Sequence, residues 1–162
     1  MANRTIPREL GDLAIGAAIA VEDVMTPEQL RARTKKFAVD SIWVGKAVPR
    51  DPINDEIAKQ LTNAASSGAA AYRSACRARS RADFIYKLGN SIEEIDEAAF
   101  WLEVLNESGV LPASTTTPLW QEADQLTRIL VRSRETSRAN QQAVNRELRN
   151  RKSTNRQSIA HR

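Results

Sequence analysis

Residues 69–105 read AAAYRSACRARSRADFIYKLGNSIEEIDEAAFWLEVL, and this stretch decides the fold. It holds the end of a helix rich in small residues, a basic turn, and a long amphipathic helix with an acidic middle. In the second helix Phe84, Leu88, Ile95, Ala98, Leu102 and Leu105 recur at helical spacings, the stripe of a helix with one buried face. Ile85, Ile92 and Ala99 widen that stripe, as the inside of a bundle requires. Ser80 reads as the N-cap, Asp83 as a first-turn acid and Gly109 as the stop. Gly89-Asn90 interrupts the pattern, lowering helix propensity by about 1 kcal/mol at the glycine. It marks either a bend or a close helix crossing.

The preceding helix runs back to about Asp51, with Ile57, Leu61, Ala64, Gly68, Tyr72 and Ala75 as its stripe. Most of these are small, so the two helix axes can approach closely and leave room for large side chains opposite. Arg73, Arg77, Arg79, Arg81 and Lys87 crowd the turn, opposed nearby only by Asp83. Glu93, Glu94, Asp96, Glu97, Glu103 and Glu107 follow with no basic residue among them. An antiparallel pair then predicts that Arg73 or Arg77 meets Glu93, Glu94 or Glu97. The alternative is two solvated charge patches, since exposed pairs contribute only about 0–1 kcal/mol.

These residues resemble the signature of the bacterial four-helix bundle protein family. That family includes the rRNA intervening-sequence proteins and the accessory variability determinant (Avd) proteins of diversity-generating retroelements. Tyr72-Arg73 and residues 75–80, ACRARS, carry the resemblance on one side of the turn. Phe84, Lys87-Leu88, Glu93-Glu94, Asp96-Glu97 and Trp101-Leu102-Glu103 carry it on the other. It extends over residues 26–138. It implies an all-α fold, an antiparallel up-down four-helix bundle. For the retroelement branch it implies a homo-oligomer, a five-subunit ring, that binds nucleic acid and a reverse transcriptase.

The remaining residues fit that architecture. A chain of 162 residues makes one ordinary core, and 41% apolar with 27% charged residues is globular rather than disordered. Thr26-Pro27-Glu28-Gln29 is a helix start with cap, first-position proline and capping-box glutamine. Leu30, Thr34, Phe37, Ser41, Val44 and Val48, flanked by Ala38 and Ile42, follow as its stripe, and the helix should end near Lys46, before Pro49. Arg31, Arg33, Lys35 and Lys36 load its first turns against the helix dipole, as a solvated face or a binding surface. Pro49-Arg50-Asp51-Pro52 turns into the second helix. After the break at Gly109-Val110-Leu111-Pro112, Pro118 leads into a last bundle helix with Leu119, Ala123, Leu126 and Leu130 as its stripe, Ile129 beside them and Trp120 near the bundle end. Three units result: an N-terminal extension over 1–25, the bundle over 26–138, and a basic tail over 139–162 that is helical before fraying into disorder.

The two ends of the chain raise separate questions. Residues 13–21 are mostly apolar and resemble a short signal core, but Glu9 and Asp12 precede them and few are leucine. Met25, where the resemblance begins, reads as an alternative start, and the run is too short to span a bilayer. A single cysteine, Cys76, forbids an intrachain disulfide and fits a reducing cytoplasm. The chain carries a formal +4, unevenly distributed: residues 128–162 hold ten basic and two acidic side chains, a net of +8, leaving −4 on the remainder. A basic tail on a mildly acidic body points to a polyanion partner or to a solvated tail.

No catalytic constellation is legible, so no enzyme is read from the chain. The one histidine, His161, lies in the tail, which removes His-based triads and Glu-x-x-His diiron sites. The acids at 93–97 would need Glu122 or Asp124 to complete a hard-cation site, and neither a metal nor a cofactor is expected. No phosphate-binding glycine loop occurs, and no aromatic residue interleaves with the basic tail. The leading expectation is an interaction protein that binds RNA or DNA backbone through Arg73, Arg77, Arg79, Arg81, Lys87, Arg128, Arg132, Arg134 and Arg138. The competing one is a scaffold whose charges only keep it in solution. Trp43, Tyr86, Trp101 and Trp120 cannot all fit a core already filled by Leu and Ile. Tyr86 and Trp101 are therefore expected at a subunit contact.

Overall fold

The computed structural model describes residues 25–160, with side chains to Arg151. The 13–21 run, the residues before Met25 and His161 lie outside that range. The described chain is four α-helices and no strand: α1 (Pro27–Ala47), α2 (Pro52–Ala75), α3 (Arg81–Glu107) and α4 (Ala113–Ala160). Each neighbour along the chain packs on the next and α4 returns to α1, while α1 and α3 stand diagonally with no close backbone approach.

The helix starts are chemical. At α1, Thr26 Oγ1 accepts from the Gln29 N–H at 3.2 Å and Gln29 Oε1 accepts from the Thr26 N–H at 2.6 Å, a reciprocal capping box with Pro27 in the first turn. Asp51 Oδ1 caps α2 by accepting from the Ile53 N–H at 2.9 Å and the Asn54 N–H at 3.3 Å. Ser80 Oγ caps α3 by accepting from the Asp83 N–H at 3.1 Å. Gly109 ends α3's turn at φ +72°, a conformation that glycine adopts without steric cost.

The four stripes meet in one core. Leu61, Leu88, Ile95, Leu102, Leu105, Leu126 and Leu130 are wholly inaccessible, with Phe37 beside them. Gly68 is where α2 and α3 approach most closely: a Cβ there would stand 2.7 Å from Ile95 Cγ1. Ser91 Oγ donates to the Gly68 carbonyl across the same crossing at 2.8 Å, a buried bond that pins the register. Gly89 marks a crossing rather than a bend, because the Arg134 guanidinium of α4 lies 3.1 Å from where its Cβ would be. Trp120, half-buried near the other end, donates to Glu103 at 2.6 Å.

Three expectations change. Among the described residues neither Arg73 nor Arg77 forms an ion pair, and both are exposed. The register explains why. With Gly68 opposite Ser91 and Ile95, Arg73 comes level with Leu88, and Glu93 lies about 7.5 Å further along the helix. Ile42 does not flank the core; it is 39% exposed, because α1 has no neighbour on that side. Helix α4 starts at Ala113, before Pro118, and continues as one helix to Ala160. Pro118 is solvent-exposed, so the amide hydrogen it lacks leaves only one carbonyl for water to satisfy.

Candidate nucleic-acid interface

Antiparallel packing of α3 and α4 sets the geometry. Trp120 meets Glu103 and Arg134 meets Gly89, so continuing that register brings Gln142 level with Arg81, the first residue of α3. From residue 142 to residue 151 every α4 side chain is exposed. Helix α4 has 48 residues against 27 for α3, a difference of about 30 Å of helix at 1.5 Å per residue. It therefore leaves the bundle beside the α2–α3 turn, where the arginines of the sequence stretch sit.

The nine cations singled out from the sequence divide by environment. Among the described residues Arg73, Arg77, Arg79, Arg132 and Arg138 are exposed with no ion pair, and Arg81 is half-buried, also with none. Lys87 is held by Asp83 at 3.0 Å, and Arg128 by Asp124 at 2.9 Å. Arg134 lies across Gly89 with its Nε buried and unpartnered, so it belongs to the α3–α4 contact rather than to the outer surface. Among the residues whose side chains are described, the overhang adds Arg146 and Arg149, both exposed and free of ion pairs, and Arg151, which is taken by Glu147 at 2.5 Å. Their signal was present in the net charge of the tail. What was missing was a continuous helix, on which Arg138, Gln142, Asn145 and Arg149 follow at four-, three- and four-residue steps and share a face.

Local electrostatics favour an anion at this end. The one acid of the turn, Asp83, accepts from the Arg79 backbone N–H at 3.1 Å and from Lys87, and these bonds hold its carboxyl below the usual range. Its charge is thus already spent locally. The other acids of α3 lie further along, and among the described residues none of Glu93, Asp96, Glu97, Glu103 or Glu107 pairs with a cation. Partial burial, then Glu97 and Glu93, push the Glu94 carboxyl up. The bundle is electrically polar, basic where α4 leaves and acidic along the far part of α3.

Elsewhere the surface offers little chemistry. The groove between α1 and α4 is spanned by Arg33, whose Nε and Nη2 donate to both carboxylate oxygens of Glu122 at 2.6 and 2.7 Å. That bond holds the Arg33 guanidinium above its usual pKa and commits one of the two acids considered for a cation site. No group of three or more metal-ligating side chains gathers among the described residues. Tyr72 is buried against Cys76, and desolvation, with Cys76 adding to it, pushes its phenol up. No described helix is long and apolar enough to cross a membrane.

Residues 29–132 match the model of the 23S rRNA-intervening sequence protein family. The chain belongs to that family. The matched span ends within α4, so the family match contains the α2–α3 turn and leaves the overhang outside. A solved structure from Bacteroides thetaiotaomicron VPI-5482, described as a protein of unknown function from the S23 ribosomal protein family, is 25% identical. The similarity covers 63% of this chain and 94% of that one at a TM-score of 0.56. No curated protein matches the chain. In this member of the intervening-sequence family, the overhanging basic helix lies beyond the matched bundle.

Proposed function

We propose that this protein binds nucleic acid through its basic end, without sequence preference and without catalysis. The observation that carries this reading is the convergence of two sets of unpaired arginines. Arg77 and Arg79 of the α2–α3 turn lie beside the point where α4 emerges with Arg138, Arg146 and Arg149. Exposed, unpaired guanidinium groups on two elements fit a phosphate backbone, which needs charge and donors rather than a pocket. The name of the family, taken from an rRNA insertion, agrees with such a partner. The reading requires neither a cofactor nor a reverse transcriptase.

Binding should then be governed by counterion release. Anisotropy titrations with a structured RNA and a DNA duplex should show affinity falling steeply between about 50 and 200 mM salt. Replacing Arg138, Arg146 and Arg149 together by Gln should weaken binding by about tenfold or more. On duplex DNA the salt slope should flatten by about 0.9 for each phosphate that is no longer neutralised. No binding at low salt would reject the reading and leave a scaffold whose charges serve solubility.

A further inference from the structure

Two exposed apolar side chains of the α4 overhang continue the face that the bundle buries. Val144 stands 18 residues beyond Leu126, and Leu148 18 beyond Leu130, about five whole helical turns in each case. Each therefore points in the same direction as its buried counterpart. Leu126 and Leu130 are fully enclosed, whereas Val144 is 45% and Leu148 51% exposed. With Gln142 level with Arg81, the two lie about 3 and 9 Å past the start of α3 and face the space beyond the α2–α3 turn. Trp43, Tyr86 and Phe100 are also exposed, but on helices of the bundle itself.

The chain enters α1 at this same end. Glu28 and Arg31, in the first turns of α1, act on the Tyr72 phenol near the end of α2, and Met25 packs half-buried against the core. The residues before Met25 therefore set out from this end of the bundle, on the helix next to α4. Their sequence complements the inner face of the overhang. Residues 13–21, LAIGAAIAV, carry no polar side chain. Glu9 and Asp12 precede them, Glu22 and Asp23 follow, and no cation occurs from residue 9 to residue 24. The overhang offers the converse, two aliphatic side chains on a segment where Arg146, Arg149 and Arg151 face the single acid Glu147. Length is sufficient. Arg33 on Glu122 sets Met25 level with about residue 130 of α4, so Leu148 lies about 27 Å further along, and residues 13–24 extend up to about 40 Å.

We propose that residues 9–24 fold back on the overhang of the same chain, seating the apolar run on Val144 and Leu148 with the flanking acids among its arginines. The contact removes two aliphatic side chains and the run itself from water. It supplies the tertiary partner that a single helix of this length otherwise lacks. The charges select the occupant, since the run brings only acids to a face on a basic segment. One docked segment protects less than a closed core, so amides of the overhang still exchange faster than those of α3. This inference stands independently of nucleic-acid binding.

Hydrogen exchange followed by mass spectrometry on the full chain tests it. Leu13→Asp with Val21→Asp should speed exchange of residues 142–151 by about tenfold or more and leave residues 88–105 unchanged, because only the docked run is altered. Val144→Ser with Leu148→Ser should in turn speed exchange of residues 13–21. Equal rates over 142–151 with and without the Leu13→Asp and Val21→Asp changes overturn the proposal. Protection of 13–21 that survives Val144→Ser with Leu148→Ser overturns it too, since the run then sits on another surface. Protection that grows with protein concentration assigns the contact to a second copy and rejects the fold-back.

Discussion

Gly68 and Gly89 decide how closely α3 lies against its neighbours, and neither is a large hydrophobe. At Gly68 a methyl group would meet Ile95 Cγ1 at 2.7 Å and the Ile95 backbone nitrogen at 3.3 Å. Backbone cannot yield as a side chain can, so Gly68→Ala should destabilise by about 1–3 kcal/mol despite its better helix propensity. A shift of the urea midpoint to lower concentration measures this. Glu94 offers a second test. Partial burial, with Glu97 and Glu93 nearby, raises its carboxyl in the fold, so its charged form opposes folding. The penalty is complete above the raised folded value and vanishes below the ordinary value near 4.5. Glu94→Gln should therefore be more stable than wild type at pH 7, and the difference should close as the pH falls below that ordinary value. A constant difference across the range would assign the effect to packing instead.

At the scale of elements, the caps and cross-helix bonds are specific enough to measure singly. Thr26→Ala removes the oxygen that satisfies the Gln29 N–H and should cost about 1 kcal/mol, seen as a lower denaturation midpoint. Arg33 links α1 to α4 through a bidentate bond to Glu122, and both side chains are about a quarter exposed. Solvent screens such a pair, so a double-mutant cycle of Arg33→Gln with Glu122→Gln should return about 1 kcal/mol of coupling or less, weaker at high salt. Helices α1 and α4 touch least of the packed pairs, so this bond contributes more to their alignment than to the total stability.

For the whole molecule, the contrast lies between a compact bundle and a helix that outruns it. Residues 142–151 of α4 have no tertiary cover, whereas Leu88, Ile95, Leu102 and Leu105 of α3 are fully enclosed. Isolated helix of that length is marginal in water, so amide exchange over 142–151 should be fast while amides around residues 88–105 exchange only on global unfolding. Bound nucleic acid should slow exchange in the overhang, and equal rates with and without it would count against this segment as a binding surface. The same separation explains the charge layout. Apart from Asp83, helix α3 carries its acids away from the turn, and the basic segment of α4 extends beyond it.

The sequence by itself determined the first three helices and most of the inward faces, whereas the start and length of α4 came from the structure. A capping box, a first-turn proline and the recurrence of apolar residues act within a few residues, so the caps Thr26 and Ser80 and the stripes through Phe37, Leu61, Leu102 and Leu126 were legible without coordinates. It also showed that large aromatic residues exceed the space of one core. Only the tertiary structure decided which charges are free. Lys87 and Arg128 are taken by acids one turn away, Arg33 by an acid on a distant helix, and Arg134 is folded over Gly89. It also set Arg73 and Arg77 out of register with the acids of α3, and it placed Trp101 half-buried while Phe100 and Trp43 stand out. The reason is that partners between helices depend on axial register and rotation. A shift of one residue turns a side chain by about 100° and moves it by about 1.5 Å, and that alignment is fixed by close approaches such as Gly68 on Ile95 rather than by any pattern along the chain.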